Sequence, residues 1–261
     1  MARDETILLL HGQPGAARDW DRVRAAIGGR GRTIAIDRPG WNGRSAPRDL
    51  VGNAQAALAP LDDERIDRAT VVGHSFGGAV AAWLAARYPA RVEALVLVAP
   101  SANLASLSRL DSVLAAPVVG RVASSALLAG LGLALETAPV RARIAGGLAL
   151  DDRYLEVAGR LLLRPSSWRA FFLEQRLLFR ELAALEARLP DISAPTTIVA
   201  GAADRIVPAT SARRLKDQIP EAELVLLDRA DHLLPLRNAE RLAEVIVGAA
   251  GVGWARPHRF R

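Results

Sequence analysis

The sequence predicts an α/β fold: a doubly wound, mainly parallel sheet of about six strands that carries an inserted all-helical block. Three observations predict it. Short apolar runs alternate with amphipathic stretches from the start of the chain to about residue 100. From about Ser101 to Leu189 the strand pattern disappears and only helical spacing remains. Beyond Leu189 the alternation resumes, so the block reads as an insertion and not as a second domain in series. The core is assigned to residues 1–100 and 190–261, and the helical cap insertion to 101–189.

Taken in order, "TILLLHG" is a strand ending in a glycine turn, and "ARDWDRVRAAIGG" is an amphipathic helix with a glycine stop. The strand "RTIAID" leads into a Pro/Gly-rich loop, "RPGWNGRSAP", and "LVGNAQAALAPLDDERI" reads as a broken helical region. "RATVVG" is a buried strand, followed by a helix that stops near Pro89 and by the almost continuously apolar strand "VEALVLVAP". Strands apolar on both faces indicate a parallel sheet covered on both sides. Inside the block, "DDRYLEVAGRLLLR" and "WRAFFLEQRLLFRELAALEARL" have helical spacing. The strand "TTIVAG", the helix "ATSARRLKDQI", the strand "ELVLLD" and the helix "RNAERLAEVIVGAA" complete the chain.

The composition excludes several classes of function. There is no cysteine among the 261 residues, hence no disulfide, no thiolate zinc site and no cysteine nucleophile. The net charge of +6 comes almost entirely from arginine, since Lys216 is the only lysine. Basic and acidic residues are interspersed, except in the tail "ARPHRFR", which argues against nucleic acid as a partner. Within the helical block the uncharged stretch Val122 to Leu135, between Arg121 and Glu136, has 14 residues, too short to predict stable membrane insertion. Asp4 and Glu5 precede a short apolar run at the N-terminus, so the expected location is cytoplasmic.

The stretch "VVGHSFGGAV" carries the chemistry. Ser75 stands between a strand and a helix in the pattern G-x-S-x-G, a nucleophile elbow, with Gly73, Gly77 and Gly78 around it. A serine hydroxyl needs a base, a carboxylate to orient that base, and donors for the developing oxyanion. On a parallel sheet these should lie at the carboxyl ends of strands. Of the four histidines, His74 adjoins the serine, His258 is in the tail, and His11 reads as structural. His232, just past the last strand, is the best-placed base. Asp204 ends the preceding strand and is the best-placed acid; Asp228 and Asp191 remain conceivable, while Asp231 adjoins His232 and reaches its ring poorly.

The segments "HGQPG", "DRPGWNGRS", "GHSFGG", "GAADRIVP" and "DHLLP", in this order, resemble the landmarks of the α/β-hydrolase superfamily from about Thr6 to Ala249. The resemblance implies an oxyanion hole formed by the backbone N–H groups of Gln13 and Phe76, and a cap that shapes substrate choice. It departs from the family in three places. Only five residues precede the first strand, so the usual N-terminal hairpin is missing and "RTIAID" should lie at or near a sheet edge. The "PGWNGRS" loop is one residue longer than the usual pattern. "HGQPG" is similar to the loop of epoxide hydrolases and haloalkane dehalogenases, but Ser75 and a cap with Tyr154 as its only tyrosine argue against both.

The expected activity is that of a serine hydrolase acting on a small-molecule ester with an uncharged or hydrophobic acyl group, with no metal or cofactor. The same triad also serves carbon–carbon bond hydrolases, perhydrolases and acyltransferases, and the fold serves non-catalytic binding proteins. Trp41, Trp168, Phe171 and Phe172 are candidate pocket residues.

Overall fold

The computed structural model describes residues 5–251. The tail "ARPHRFR", with His258, lies outside them. Six strands form one wholly parallel sheet: β1 (Thr6–Leu10), β2 (Arg32–Ile36), β3 (Ala69–His74), β4 (Val92–Val98), β5 (Thr196–Gly201) and β6 (Glu223–Leu227). Their order is β2-β1-β3-β4-β5-β6. The strand "RTIAID" is thus an edge, as expected, and the other edge is β6. Both edges are half-buried, whereas β1 is buried along its whole length.

Helices cover both faces. On one side α2 (Leu50–Asp63), α3 (Phe76–Arg87) and α9 (Ala209–Gln218) pack with Leu8, Val71, Leu95 and Ile198 of the sheet. On the other, α1 (Asp21–Ile27) and α11 (Ala239–Ala249) pack with Ile7, Leu9, Val72 and Val96. Alternate strand residues serve opposite faces because side chains alternate along a strand. The expected break in α2 does not occur. Asp49 caps its first turn at 2.7 Å from the Gly52 N–H, and Leu50, Ala54, Ala57 and Leu61 form a continuous buried stripe. Pro60 falls in the last turn, where its ring disturbs only the helix end.

Between β4 and β5 the chain makes five helices: α4 (Arg109–Ala115), α5 (Val119–Glu136), α6 (Ala138–Leu148), α7 (Asp152–Leu162) and α8 (Pro165–Glu186). They share a small core of Leu114, Leu128, Leu135, Leu155, Leu162, Ala170 and Phe171, to which Trp41 of the sheet's own loops contributes. The second half of α8 leaves this cluster, and Leu178, Leu182 and Leu185 pack into the main core. Among the described residues, by length and composition α5 alone is long and apolar enough to cross a membrane, but it packs here against α7 and α8. A short helix, α10 (Leu234–Arg237), precedes α11.

Strand order reverses between β1 and β3, and clefts at such a switch point open at the carboxyl ends of the strands. The loop "HGQPG" and Ser75 occupy those two ends.

Candidate active site

The turn at Ser75 is sharp because two glycines allow it. A Cβ on Gly77 would sit 2.4 Å from the Leu10 carbonyl oxygen, and one on Gly73 only 2.1 Å from that of Gly77. Without side chains at both, α3 can start directly against β1 and β3. Ser75 itself takes the strain, with φ 52° and ψ −119°. A serine with positive φ is an outlier that the surrounding structure must hold in place. Its N–H donates to Val98 O (2.9 Å), and its carbonyl accepts from Gly78 N (2.9 Å) and Ser101 N (3.0 Å). The backbone is pinned on both sides, and the hydroxyl stays partly accessible.

Two backbone donors beside this turn have no partner. Phe76 is the first residue of α3, so its N–H has no intrahelical acceptor. The Gln13 N–H likewise forms no hydrogen bond among the described residues. The loop carrying Gln13 lies against the serine: a Cβ on Gly12 would be 3.1 Å from Ser75 Cβ.

The acid and base expected from the sequence meet. His232 Nδ1 and Asp204 Oδ2 are 2.8 Å apart, and both side chains are nearly fully buried. The other oxygen of Asp204 accepts the N–H groups of Ile206 (2.8 Å) and Val207 (2.9 Å). Burial works against ionising Asp204, but the His232 bond and charge and these two N–H donors outweigh it, and the carboxyl stays below its usual range. Nδ1 therefore carries the proton that Asp204 accepts, which leaves Nε2 as the basic nitrogen. No hydrogen bond joins Nε2 to the Ser75 hydroxyl in this geometry, a common looseness before substrate tightens a site.

The rival acids point elsewhere. Asp231 accepts the Leu233 N–H (3.0 Å) and pairs with Arg237. Asp191 pairs with Arg188 at 3.2 Å, and Asp228 is exposed.

His74 and His11 have structural partners. The His74 ring lies 4.9 Å from that of His232, and its Nε2–H donates to the His232 carbonyl at 2.9 Å. Burial, reinforced by the neighbouring His232, lowers its pKa to about 3, so it stays neutral. His11 Nε2 accepts the Arg38 N–H (3.0 Å), and Nδ1–H donates to Gly12 O (2.7 Å). Burial, then the charge of Arg38, hold His11 neutral as well.

A network under the "HGQPG" loop has no counterpart in the sequence reading. Arg38, buried, donates to the carbonyls of His11 (Nε, 2.9 Å) and Gly12 (Nη2, 2.9 Å). It also grips both oxygens of Glu174 on α8, at 2.5 and 3.2 Å, and Trp41 Nε1 donates to the same carboxylate at 3.0 Å. Burial raises the Glu174 carboxyl, and Arg38 and Trp41 counter that pull. Next along α8, Gln175 accepts from Gln13 Nε2 (2.7 Å) and donates to Asp111 (3.0 Å). Glu174 and Gln175 did leave a signal: they fall on the apolar stripe Phe171, Leu178, Leu182, where polar groups need partners.

A cavity of about 360 Å³ lies between the core loops and the helices α5 to α7, walled by Trp41, Leu131, Leu135, Leu155 and Leu162. It reaches Pro14 and Leu233, the chain neighbours of Gln13 and His232, though Ser75 and His232 themselves are not in its wall. Of the four candidate aromatics only Trp41 lines it. Phe171 is buried in the helical cluster, and Trp168 and Phe172 line a separate cleft. In the wall of the cavity Tyr154 of α7 donates to Asp19 of the core at 2.9 Å, and burial raises the Asp19 pKa to about 6. Among the described residues, no group of three or more His, Asp and Glu side chains is arranged to hold a metal ion.

Comparison with known proteins gives the family and the fold. The chain is 28% identical over 92% of its length to the 2-hydroxymuconate semialdehyde hydrolase of Pseudomonas sp. strain CF600, covering 84% of that protein. It is 28% identical over 91% of its length to the pimeloyl-[acyl-carrier protein] methyl ester esterase of Neisseria meningitidis, covering 90% of it. It also matches, at 28% identity, an acetyltransferase component of the acetoin cleaving system of Pseudomonas putida, of which it spans only 60%. A meta-cleavage product hydrolase from Pseudomonas fluorescens IP01 superposes with a TM-score of 0.72 at 21% identity, over 95% of this chain and 90% of that one, a likeness of fold. Residues 7–245 match the model of the alpha/beta hydrolase family, and the chain belongs to that family.

Proposed function

We propose that this enzyme is a serine hydrolase that cleaves an ester-like, uncharged or hydrophobic carboxylic substrate through an acyl-enzyme on Ser75. The observation that carries the reading is the pinned, positive-φ Ser75 beside two unpartnered backbone donors, with the Asp204–His232 pair on the neighbouring loops. His232 Nε2 takes the Ser75 proton as Oγ bonds to the carbonyl carbon, and the N–H groups of Gln13 and Phe76 receive the oxyanion. The carbon–oxygen bond to the leaving group then breaks, and the departing alcohol takes the proton from Nε2. Water, deprotonated by the same nitrogen, attacks the acyl-enzyme and releases the acid and Ser75. Asp204 holds the imidazole in the working tautomer and stabilises its charged form. The helical block acts as the cap, and its cavity houses the acyl chain.

Ser75→Ala is expected to lower ester hydrolysis by roughly 10⁴-fold or more, and a fluorophosphonate probe should label wild type and not the variant. Retention of a tenth of the activity would rule out Ser75 as the nucleophile, and no labelling of wild type would favour a binding protein. The likeness to 2-hydroxymuconate semialdehyde hydrolase favours one second reading, carbon–carbon bond cleavage by the same residues. A panel of esters, lactones and β-diketones separates the two: faster turnover of the diketones selects the second.

A further inference from the structure

The outer face of the helical block presents a surface that the proposed reaction does not use. Leu110 and Val113 of α4, Val118 of the link, and Val119 and Val122 of α5 are each 47–76% exposed. Spacing of three residues puts each helical pair on one side of its helix. The two helices meet closely, since a Cβ on Gly120 would be 2.3 Å from the Leu114 carbonyl oxygen. The exposed stripe continues along α5 through Ala126 to Leu133. Beside it is a cleft of about 530 Å³, lined by Arg121 and Ser125 of α5 and by Trp168, Arg169 and Phe172 of α8. Neither arginine forms an ion pair among the described residues.

We propose that this face docks onto an anionic lipid bilayer, with the aliphatic side chains in the headgroup–acyl boundary and a lipid phosphate between Arg121 and Arg169. Exposed aliphatic side chains in one patch gain free energy by leaving water, and a basic border directs them to an anionic interface. Arginine matches phosphate geometry, and the chain's net charge of +6 has the complementary sign. The helix lies on the bilayer and does not cross it, because its opposite stripe is committed to the protein. Gly132 faces Leu163 across a gap that a Cβ would narrow to 2.8 Å, and Leu135 touches Gly159. Leu131 and Leu135 of the same helix wall the cavity, so an apolar ester in the bilayer lies one helix away from it.

Sedimentation with vesicles of phosphatidylcholine, with and without phosphatidylglycerol, tests this in the wild type and in Ser75→Ala, where turnover plays no part. Both proteins should bind the anionic vesicles alike, less at high salt, and bind phosphatidylcholine alone weakly. Arg121→Gln with Arg169→Gln should weaken binding about 25-fold, at about fivefold per arginine. Val119→Ser with Val122→Ser should weaken it too, and both double variants should keep the parent's melting temperature and its rate on a short water-soluble ester. Failure to bind any vesicle, binding indifferent to both double variants, or a concentration-dependent dimer that the serine pair disrupts would each overturn the proposal. Loss of esterase activity in Ser75→Ala with vesicle binding retained separates this surface from the reaction.

Discussion

Replacing Glu174 removes the charge that joins the helical block to the loop after β1. The carboxylate accepts three hydrogen bonds, two from Arg38 and one from Trp41, with both ion-pair side chains essentially inaccessible to water. Hydrogen bonds to a charged group are worth about 1.5–3 kcal/mol, against about 0.5–1.5 for neutral pairs. Glu174→Gln keeps the shape, but its one amide oxygen holds a single Arg38 bond weakened by about 1 kcal/mol, and the amide nitrogen accepts nothing, so the other Arg38 bond is lost. A loss of about 2–3 kcal/mol is expected. Glu174→Ala leaves the guanidinium buried and unpaired and should cost about 3–5 kcal/mol, a large part of a domain's total of about 5–15. The kinetic effect should follow from Arg38, whose other donors hold the carbonyls of His11 and Gly12 just before Gln13. If that loop shifts by about 1 Å, kcat should fall on the order of 100-fold with KM little changed, because the oxyanion donor contributes in the transition state. Urea unfolding and steady-state hydrolysis of one ester measure both quantities. A Glu174→Ala protein within about 1 kcal/mol of its parent, or a Glu174→Gln protein altered in KM but not kcat, would refute the reasoning.

Two further expectations concern the histidines and their partners. Asp204→Asn should lower kcat by about 10⁴-fold, the scale seen for the equivalent change in a serine protease, because the amide favours the wrong tautomer and cannot stabilise the imidazolium. Asp231→Asn should stay within a few-fold of wild type, and the reverse ranking would displace Asp204. His74 is depressed to about 3 from an ordinary 6.5, so the unfolded chain binds the extra proton first. Its contribution to stability is complete above about 6.5 and falls by about 1.4 kcal/mol per pH unit below that, down to about 3. Urea midpoints from pH 7 to 4 should therefore drop less steeply in His74→Gln, and parallel curves would show that this ring is not the titrating group.

What was legible in the sequence is what local chemistry dictates. Strands betray themselves by apolar runs, and the elbow by glycines whose missing side chains allow one close approach, so the six strands and Ser75 could be read directly. That Asp204 and not Asp231 meets the His232 ring is also a local matter, since a residue adjacent to His232 has its own backbone and Arg237 to satisfy. The Arg38–Glu174 pair escaped because its members are 136 positions apart and share no pattern. Only the oddity of a charge on the apolar stripe of α8 hinted at it. The same helix explains why loss of strand rhythm does not by itself delimit a lid. Helical spacing runs unbroken through α8, yet Leu178, Leu182 and Leu185 serve the main core while Ala170 and Phe171 serve the helical cluster. Excising 101–189 as a unit would strip three core leucines at about 2–5 kcal/mol each, together with Glu174, enough to exhaust the stability of most domains. The mechanical boundary therefore falls inside α8 near Glu174. There the helix changes partners, and its one buried charge ties the block to the loop that carries Gln13.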